Sequence, residues 1–248
     1  MNFMKLRLAA IAASAVLAAC GGGDDSTTTT APTTSTAAAA EGFWSGSTTT
    51  GVGVSLAILE NGETWGVYTS GGGIAGALYG NTTTSGNTLS GSGSDFNIPS
   101  RTTASATYSG TFSPKSSISV STSGGVSFTG NYETAYDQSA SLAAVAGSFS
   151  GQGVSGSSPV QGVAVTISST GAVTVPASLG CSASGSAVPR ASGKNVFNVS
   201  ITFSGSTCAL GNGATATGIA YYDAVNQDLL VLALNAAKTD GFIYIGSK

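Results

Sequence analysis

Phe197-Asn198-Val199-Ser200-Ile201-Thr202-Phe203 is the stretch that decides the fold class of this 248-residue chain. Large apolar side chains alternate in it with Asn, Ser and Thr. A period of two places successive side chains on opposite faces of a β-strand, so all four apolar residues share one face. The stretch therefore predicts a β-strand with one apolar and one polar face.

The same alternation recurs elsewhere, at Val52, Val54, Leu56 and Ile58 and again at Val163, Val165 and Ile167. Asn61-Gly62 follows the first of these runs, and this dipeptide is the strongest short signal for a β-hairpin. Thr170-Gly171 has a similar turn role later in the chain. Helix-length apolar patterns are scarce, and only the Ala-rich stretch 139–146 predicts a short helical turn. The fold class is therefore all-β.

The chain also repeats itself at a spacing of about 105 to 109 residues. Gly42-Phe43-Trp44-Ser45-Gly46 matches Gly147-Ser148-Phe149-Ser150-Gly151 at an offset of 105, and the turn glycines Gly62 and Gly171 are 109 apart. Two further landmarks give 108. Four landmarks at nearly one spacing favour an internal duplication.

We therefore predict two tandem antiparallel modules, at 41–145 and 146–248, each with seven or eight short strands. In the second module the strands are expected near 147–152, 161–168, 171–175, 195–204, 214–222, 228–235 and 241–246. Eight consecutive antiparallel strands can close into a small up-and-down barrel, which removes exposed sheet edges. A two-sheet β-sandwich uses the same pattern and is the alternative.

The first twenty residues have the order of an export signal. Two basic residues precede an apolar stretch, 8–16, that is too short to span a bilayer. Leu17-Ala18-Ala19-Cys20 follows and resembles the lipobox of bacterial lipoproteins. The resemblance implies that residues 1–19 are a signal peptide, that Cys20 carries fatty acyl chains such as palmitate, and that the protein is lipid-anchored in the cell envelope.

Residues 20–40 are rich in Gly, Ser, Thr and Ala and contain nothing that could bury a core. We predict a disordered tether that holds the folded modules away from the membrane. Gly21 rather than Asp follows Cys20. By analogy with enterobacterial lipoproteins, this favours the outer membrane.

Composition excludes several classes of function. Charged residues make up 8% of the chain, and there is no histidine, the commonest general base and zinc ligand. Without the signal peptide, the chain has six basic and eleven acidic residues. It therefore lacks the excess of basic residues that is typical of a nucleic-acid-binding protein. No acidic cluster has the ligand density of a metal site. We expect no cofactor and no metal.

Cys181 and Cys208 are the two thiols that remain once Cys20 is acylated. An exported chain meets an oxidising compartment, where an even pair of cysteines forms a disulfide. A redox pair would favour the Cys-x-x-Cys spacing, which is absent. A structural disulfide in the second module is therefore predicted.

Motifs for catalysis are weak. Gly151 to Gly156 matches the letters of a dinucleotide-binding turn, but Ser, Pro and another strand follow where that turn needs a helix. Glu60 and Glu63 flank one turn, Asp223 and Asp228 flank another, and carboxylates beside turns are expected to be solvated. We expect no enzyme, and a carboxylate-dependent hydrolase is a remote alternative.

Aromatic residues concentrate in the first module, and we expect them mostly to fill a barrel interior. They are Trp44, Trp65, Tyr68, Tyr79, Phe96, Tyr108, Phe112, Phe128 and Tyr132. The first four are the candidate ligand-binding residues. Gly42-Phe43-Trp44 resembles the Gly-x-Trp entry of lipocalin and avidin-type barrels. The lipidated-barrel architecture is also similar to that of the transferrin-binding and factor-H-binding surface lipoproteins.

The expected function is non-catalytic binding of a protein or other envelope macromolecule, at the surface or in the periplasm. The alternative is a lipocalin-like carrier that holds a small apolar ligand inside a barrel. The two hypotheses differ in interior volume, because a carrier needs a cavity of about 300 Å³ or more.

Overall fold

The computed structural model describes residues 39–155 and 158–248. Within these ranges the chain forms two closed antiparallel eight-stranded barrels in tandem. The predicted all-β class is confirmed, and the barrel rather than the sandwich is the architecture. The predicted signal peptide, Cys20 and all but the last two residues of the predicted tether lie outside the described residues.

Barrel 1 is an up-and-down meander in which each strand pairs with the next. Its strands are β1 (Gly42–Thr48), β2 (Gly53–Ile58), β3 (Glu63–Ser70), β4 (Gly73–Ser85), β5 (Thr88–Asn97), β6 (Thr102–Ser113), β7 (Ser117–Thr122) and β8 (Ser127–Tyr132). β8 returns to β1, with Tyr132 opposite Trp44, and so closes the barrel.

Barrel 2 repeats this order. Its strands are β9 (Gly147–Ser155), β10 (Gln161–Ile167), β11 (Ala172–Ser178), β12 (Cys181–Pro189), β13 (Phe197–Ser204), β14 (Thr215–Asp223), β15 (Asp228–Leu234) and β16 (Gly241–Ser247). β16 pairs with β9 to close the barrel. The strand expected near 171–175 is longer than predicted, and β12 was not predicted at all.

A short connector joins the barrels. It contains one 3-10 turn, Thr134–Asp137, and one α-helical turn, α1 (Leu142–Val145), which Ser141 caps by accepting the Ala144 N–H. The helical turn predicted within 139–146 is therefore confirmed. No helix of the described ranges is long and apolar enough to cross a membrane.

The hairpin turns of the two barrels have matching geometry. Gly62 and Gly171 both adopt left-handed backbone, with φ of +83° and +84°, which glycine adopts without steric cost. The carbonyl of each accepts a 2.7 Å hydrogen bond from the fourth strand of its barrel, from Thr82 N–H and Ala187 N–H respectively. The 109-residue spacing therefore marks equivalent positions.

Alternate side chains fill the two interiors. Trp44 is fully buried and meets Tyr132 edge-on, with ring centroids 5.2 Å apart. Phe149, its counterpart at an offset of 105, is also fully buried and meets Tyr222 edge-on at 5.8 Å. The matched sequence pair thus supplies one buried ring to each core.

The barrels belong to one compact unit and pack side by side through their outer faces. We call this contact the seam. Phe43 projects outward from β1 and stacks on Tyr221 of β14, with centroids 3.9 Å apart and planes 10° from parallel. The other large buried side chains of the seam are Trp65, Val67, Val154, Ile219, Leu232, Leu234 and Ile243.

Candidate functional site

The four candidate ligand-binding aromatics do not share one site. Strand register places Trp65 and Tyr79 opposite each other, in the same row as the outward-facing Phe43. Trp44 and Tyr68 lie on the other face of their strands, which lines the interior of barrel 1. The expectation that barrel-filling explains the aromatics holds for Trp44 and Tyr68 but is wrong for Trp65 and Tyr79, which lie in the seam.

Tyr68 is held inside barrel 1 by a carboxylate. Its hydroxyl donates a 2.7 Å hydrogen bond to Asp95 Oδ1 and lies 3.4 Å from the carbonyl oxygen of Phe96. Burial, assisted by the negative charge of Asp95, raises the pKa of the Tyr68 phenol well above its usual range. The phenol is therefore a neutral donor that fixes β3 to β5.

Trp65 and Tyr79 instead line a cleft in the seam. The cleft is partly open to solvent and has a volume of about 40 Å³. Barrel 1 contributes these two rings with Phe96 and Ile98, and barrel 2 contributes Val154, Leu232, Leu234 and Ile243. The walls of the cleft are thus mainly apolar, but the charged residue Asp240 also lines it.

One lining residue of the cleft has a buried polar atom without a partner. Trp65 is 2% exposed, and its Nε1 makes no hydrogen bond with any described residue. A buried N–H without an acceptor costs about 1–3 kcal/mol. By contrast, Nε1 of Trp44 donates a 3.1 Å hydrogen bond to the carbonyl of Ala40.

A lysine caps the same two rings. Lys238 lies in the turn between β15 and β16, and its Nζ is 4.7 Å from the Tyr79 ring centroid and 5.5 Å from that of Trp65. Both distances fall within the range of a cation–π interaction. No carboxylate oxygen of the described residues comes within 4.0 Å of this Nζ. Sequence analysis missed Lys238, because a lone lysine in a turn matches no motif.

The carboxylates at the first turn lie beside the cleft and hold the barrels together. Glu60 accepts a 2.8 Å hydrogen bond from Arg190 Nε, and Glu63 is 3.9 Å from Nη2 of the same guanidinium. Glu63 also accepts from the Tyr79 hydroxyl at 3.3 Å, and burial together with this carboxylate raises the Tyr79 pKa. The expectation that Glu60 and Glu63 are merely solvated is wrong, because both pair with barrel 2.

The second pair of candidate carboxylates behaves as expected for a turn. Asp223 accepts the backbone N–H of Val225 at 2.8 Å and that of Asn226 at 3.2 Å. Asp228 faces Asp223 across the β14–β15 hairpin and is exposed. These contacts are local and stabilise the turn.

Away from the seam, the outer faces of both barrels carry mainly hydroxyl groups. We call these faces the hydroxyl walls. Exposed members on β5–β8 are Ser90, Ser92, Thr103, Ser105, Thr107, Ser109, Thr111, Ser113, Ser117, Ser119, Ser121 and Thr129. Those on β10–β13 are Thr166, Thr174, Ser184, Ser186, Thr202 and Ser204. No charged residue of the described ranges lies on these faces.

The wall of barrel 1 includes a shallow depression. Its volume is about 510 Å³, and the side chains around it include Asn87, Thr111, Ser119, Thr129 and Asn131. These groups are exposed and can each donate and accept hydrogen bonds. The depression therefore offers an uncharged surface, in which these polar groups lie beside the apolar residues Phe112 and Ile118.

The disulfide lies apart from the seam cleft. Cys181 at the start of β12 is bonded to Cys208 in the loop after β13, as predicted. Barrel 1 has no equivalent bond, because its sequence contains no cysteine.

Comparison with known proteins returns no match among family models, curated proteins or solved structures. Within the described ranges, no three Cys, Asp or Glu side chains come together as a metal site would require. The geometry thus defines two candidate regions, the cleft in the seam and the hydroxyl walls.

Proposed function

We propose that this chain is a lipid-anchored protein of the cell envelope, attached through Cys20 to the outer membrane. Its barrels bind a protein or another envelope macromolecule, and they do so without catalysis. The observation that carries the binding role is the hydroxyl wall, an exposed and uncharged surface that extends over four strands in each barrel.

The chemistry of the walls supports a neutral polar partner. Ser, Thr and Asn side chains donate and accept hydrogen bonds without a net charge. A nucleic acid or a strongly acidic partner would be favoured by clustered Lys and Arg. The walls have none, so the partner is expected to present hydroxyl, amide or backbone groups of its own.

Two packing features favour surface binding over a lipocalin-like carrier. Trp44 and Phe149 are fully buried rings that occupy barrel interiors. The depression of about 510 Å³ lies on the outer wall of barrel 1 rather than inside it. A carrier would hold its ligand within the barrel, where these rings pack.

The disulfide supports export. Bonds such as Cys181–Cys208 form in oxidising compartments and are rare in reducing ones. Leu17-Ala18-Ala19-Cys20 supplies the corresponding signal. Replacing Cys20 by Ser should move the protein from the membrane fraction to the soluble fraction. An unchanged distribution would contradict the lipid anchor.

Matched wall variants test the binding role. Ser119 lies between Thr111 and Thr129 on neighbouring strands, and Ser184 lies likewise between Thr174 and Thr202 in barrel 2. Ser119→Arg should abolish cross-linking of the full chain to its partner in envelopes, because it puts a charge and bulk into the depression. Ser184→Arg makes the same change in the wall of barrel 2 and should weaken cross-linking as well. Ala224→Arg, in the exposed turn between β14 and β15 and outside both walls, is the control and should retain cross-linking. A partner captured equally by wild type and both wall variants would contradict binding at the walls.

A further inference from the structure

The first complete hairpin of barrel 2 is hydrogen-bonded over only part of its length. β10 and β11 each contain seven residues, yet only Thr166–Thr174 and Ile167–Val173 are paired between them. Every other pair of neighbouring strands in this barrel is paired over five residues or more. Residues 161–165 of β10 therefore lack a paired strand on the β11 side, and we call them the open edge.

A proline explains why the pairing stops. Ser168 N–H donates a 2.8 Å hydrogen bond to the Ala172 carbonyl. In an antiparallel sheet the N–H and C=O of alternate residues point to the same neighbour, so Ala164 and Gly162 direct theirs toward β11. Continuing the register would place Pro176 opposite Ala164, and proline has no N–H to donate. The carbonyl of Ala164 therefore lacks the donor that the ladder would supply.

Barrel 1 contains the same hairpin with a complete ladder. At the offset of 109 residues between the two turn glycines, Ala164 corresponds to Ser55 and Pro176 corresponds to Val67. Ser55 and Val67 are paired, and the pairing of β2 with β3 has no break. The open edge is thus a consequence of the proline in barrel 2 and not of the barrel architecture.

The open edge is accessible and has apolar surroundings. Gly162 and Ala164 are exposed, and a Cβ on Gly162 would meet nothing within 4 Å. Val163 and Val175 pack against the barrel 2 core but are only half-buried, and Leu179 just after β11 is 84% exposed. Neither strand contains a charged residue. An incoming strand would therefore meet backbone groups and, at alternate positions, apolar side chains.

We propose that the open edge accepts an extended peptide segment of a partner protein as an added β-strand. Main-chain hydrogen bonds join the segment to Gly162 and Ala164. Its side chains alternate, with branched apolar residues toward Val163 and Val175 and small uncharged residues on the outside. Because β11 continues beside β10, the partner is a single extended segment rather than the edge of a second folded sheet.

The site is a strand edge and does not depend on the proposed binding at the hydroxyl walls. The experiments below use a synthetic peptide, whereas the wall variants are tested by cross-linking in envelopes. Failure of one therefore leaves the other standing.

Hydrogen exchange tests the open edge directly, by NMR on the full chain carrying Cys20→Ser. The amides of Gly162 and Ala164 should exchange at least about tenfold faster than the amide of Ser55, which occupies the paired position in barrel 1. This comparison uses the wild-type barrels and depends on no variant of them.

A peptide supplies the missing strand. The probe is a blocked heptapeptide that copies 172–178 with valine in place of the proline, because its alternation already matches β10. It should shift the amide signals of Gly162 and Ala164 saturably and slow their exchange. The control is the same heptapeptide with the natural proline, which should bind about tenfold more weakly because it offers one donor fewer.

Pro176→Val is the matched variant, because it gives β11 the donor that Val67 provides in barrel 1. It should protect the Ala164 amide without any peptide and weaken binding of the probe by about tenfold or more. Thr174→Val is the control. Thr174 is already paired with Thr166, so this variant should bind the probe as wild type does.

Four results would overturn the proposal. The first is equal protection of the Ala164, Gly162 and Ser55 amides in the free protein. The second is the absence of any saturable shift with the probe. The third is full retention of probe binding in Pro176→Val. The fourth is protection of the open edge that rises with protein concentration, which would identify a second copy of the chain as the occupant.

Discussion

Gly62 and Gly51 share a left-handed backbone but differ in what surrounds them. Their φ angles are +83° and +80°, yet a Cβ on Gly62 would lie 2.5 Å from the Thr82 carbonyl oxygen, whereas Gly51 has nothing within 4 Å. Gly51→Ala should therefore cost only the left-handed penalty, about 1–2 kcal/mol. Gly62→Ala should cost about 1–3 kcal/mol more, because β4 must move. Equilibrium urea unfolding measures both, and equal losses would contradict this packing.

The same residues show what could be predicted at this scale. Asn61-Gly62 specified its turn by itself, because the dipeptide favours the required backbone. The direction of Trp65 could not be predicted, because β3 carries large side chains at both parities, Trp65 and Val67 on one face and Tyr68 on the other. A period-two pattern alone does not show which face of a strand lines the barrel interior. For β3 the outer face is buried as well, because the second barrel packs against it.

The disulfide acts at the scale of elements, because it ties the start of β12 to the loop after β13. It closes a segment with a sequence separation of 27 residues, for which loop entropy predicts about 3.5 kcal/mol of stabilisation. The double variant Cys181→Ala/Cys208→Ala should lose about this free energy of unfolding. Calorimetry with and without reductant measures the loss in wild type, and the variant should not respond to reductant. A wild-type protein that is equally stable in reductant would contradict the prediction.

β12 is the strand of barrel 2 that the sequence pattern did not predict. Its inward positions are Ala183, Gly185 and Ala187, which are too small to give an apolar alternation. Gly185 is required by the close approach of β13, because a Cβ at this position would collide with the backbone of Ser200. By contrast, β15 carries the continuous apolar run 229–234. Such a run is typical of a strand buried on both faces, and it is the sequence signal from which the seam could have been inferred.

At the scale of the whole molecule, buried tyrosines of the connector and the seam make the fold sensitive to alkali. Burial is the main cause that raises the pKa of Tyr136 and of Tyr221 above the ordinary phenol value of 10.0. The unfolded chain ionises near that ordinary value while the folded chain resists ionisation. The stabilisation that these neutral phenols give to the folded state is therefore complete below about pH 10 and is lost as the pH rises further.

Tyr221→Phe tests this pH dependence. The substitution keeps the ring that stacks on Phe43 and removes the group that ionises. The variant should lose less stability than wild type as the pH is raised above about 10. Near neutral pH the stabilities of the two proteins should change with pH in the same way. Denaturant midpoints measured across this pH range give the comparison. Identical alkaline losses would show that Tyr221 does not contribute.

The seam also predicts that the two barrels unfold together. Leu232 is 2% exposed and faces barrel 1 from the outer side of β15, so Leu232→Asp puts an unpaired charge into the seam without entering the barrel 2 core. Wild type should show one calorimetric transition. The variant should show two, with a loss of about 3 kcal/mol or more.

The disulfide identifies the transitions in this experiment. Only barrel 2 contains the Cys181–Cys208 bond, so reductant should lower one of the two transitions of Leu232→Asp and leave the other unchanged. Ser200→Asp is the control: Ser200 lies on the outer face of β13, away from the seam, and the variant should keep a single transition. Two transitions in wild type would mean that the apolar contact does not couple the barrels. A single transition in Leu232→Asp would mean that other contacts couple the two barrels. The ion pairs of Arg190 with Glu60 and Glu63 would then be the next contacts to remove.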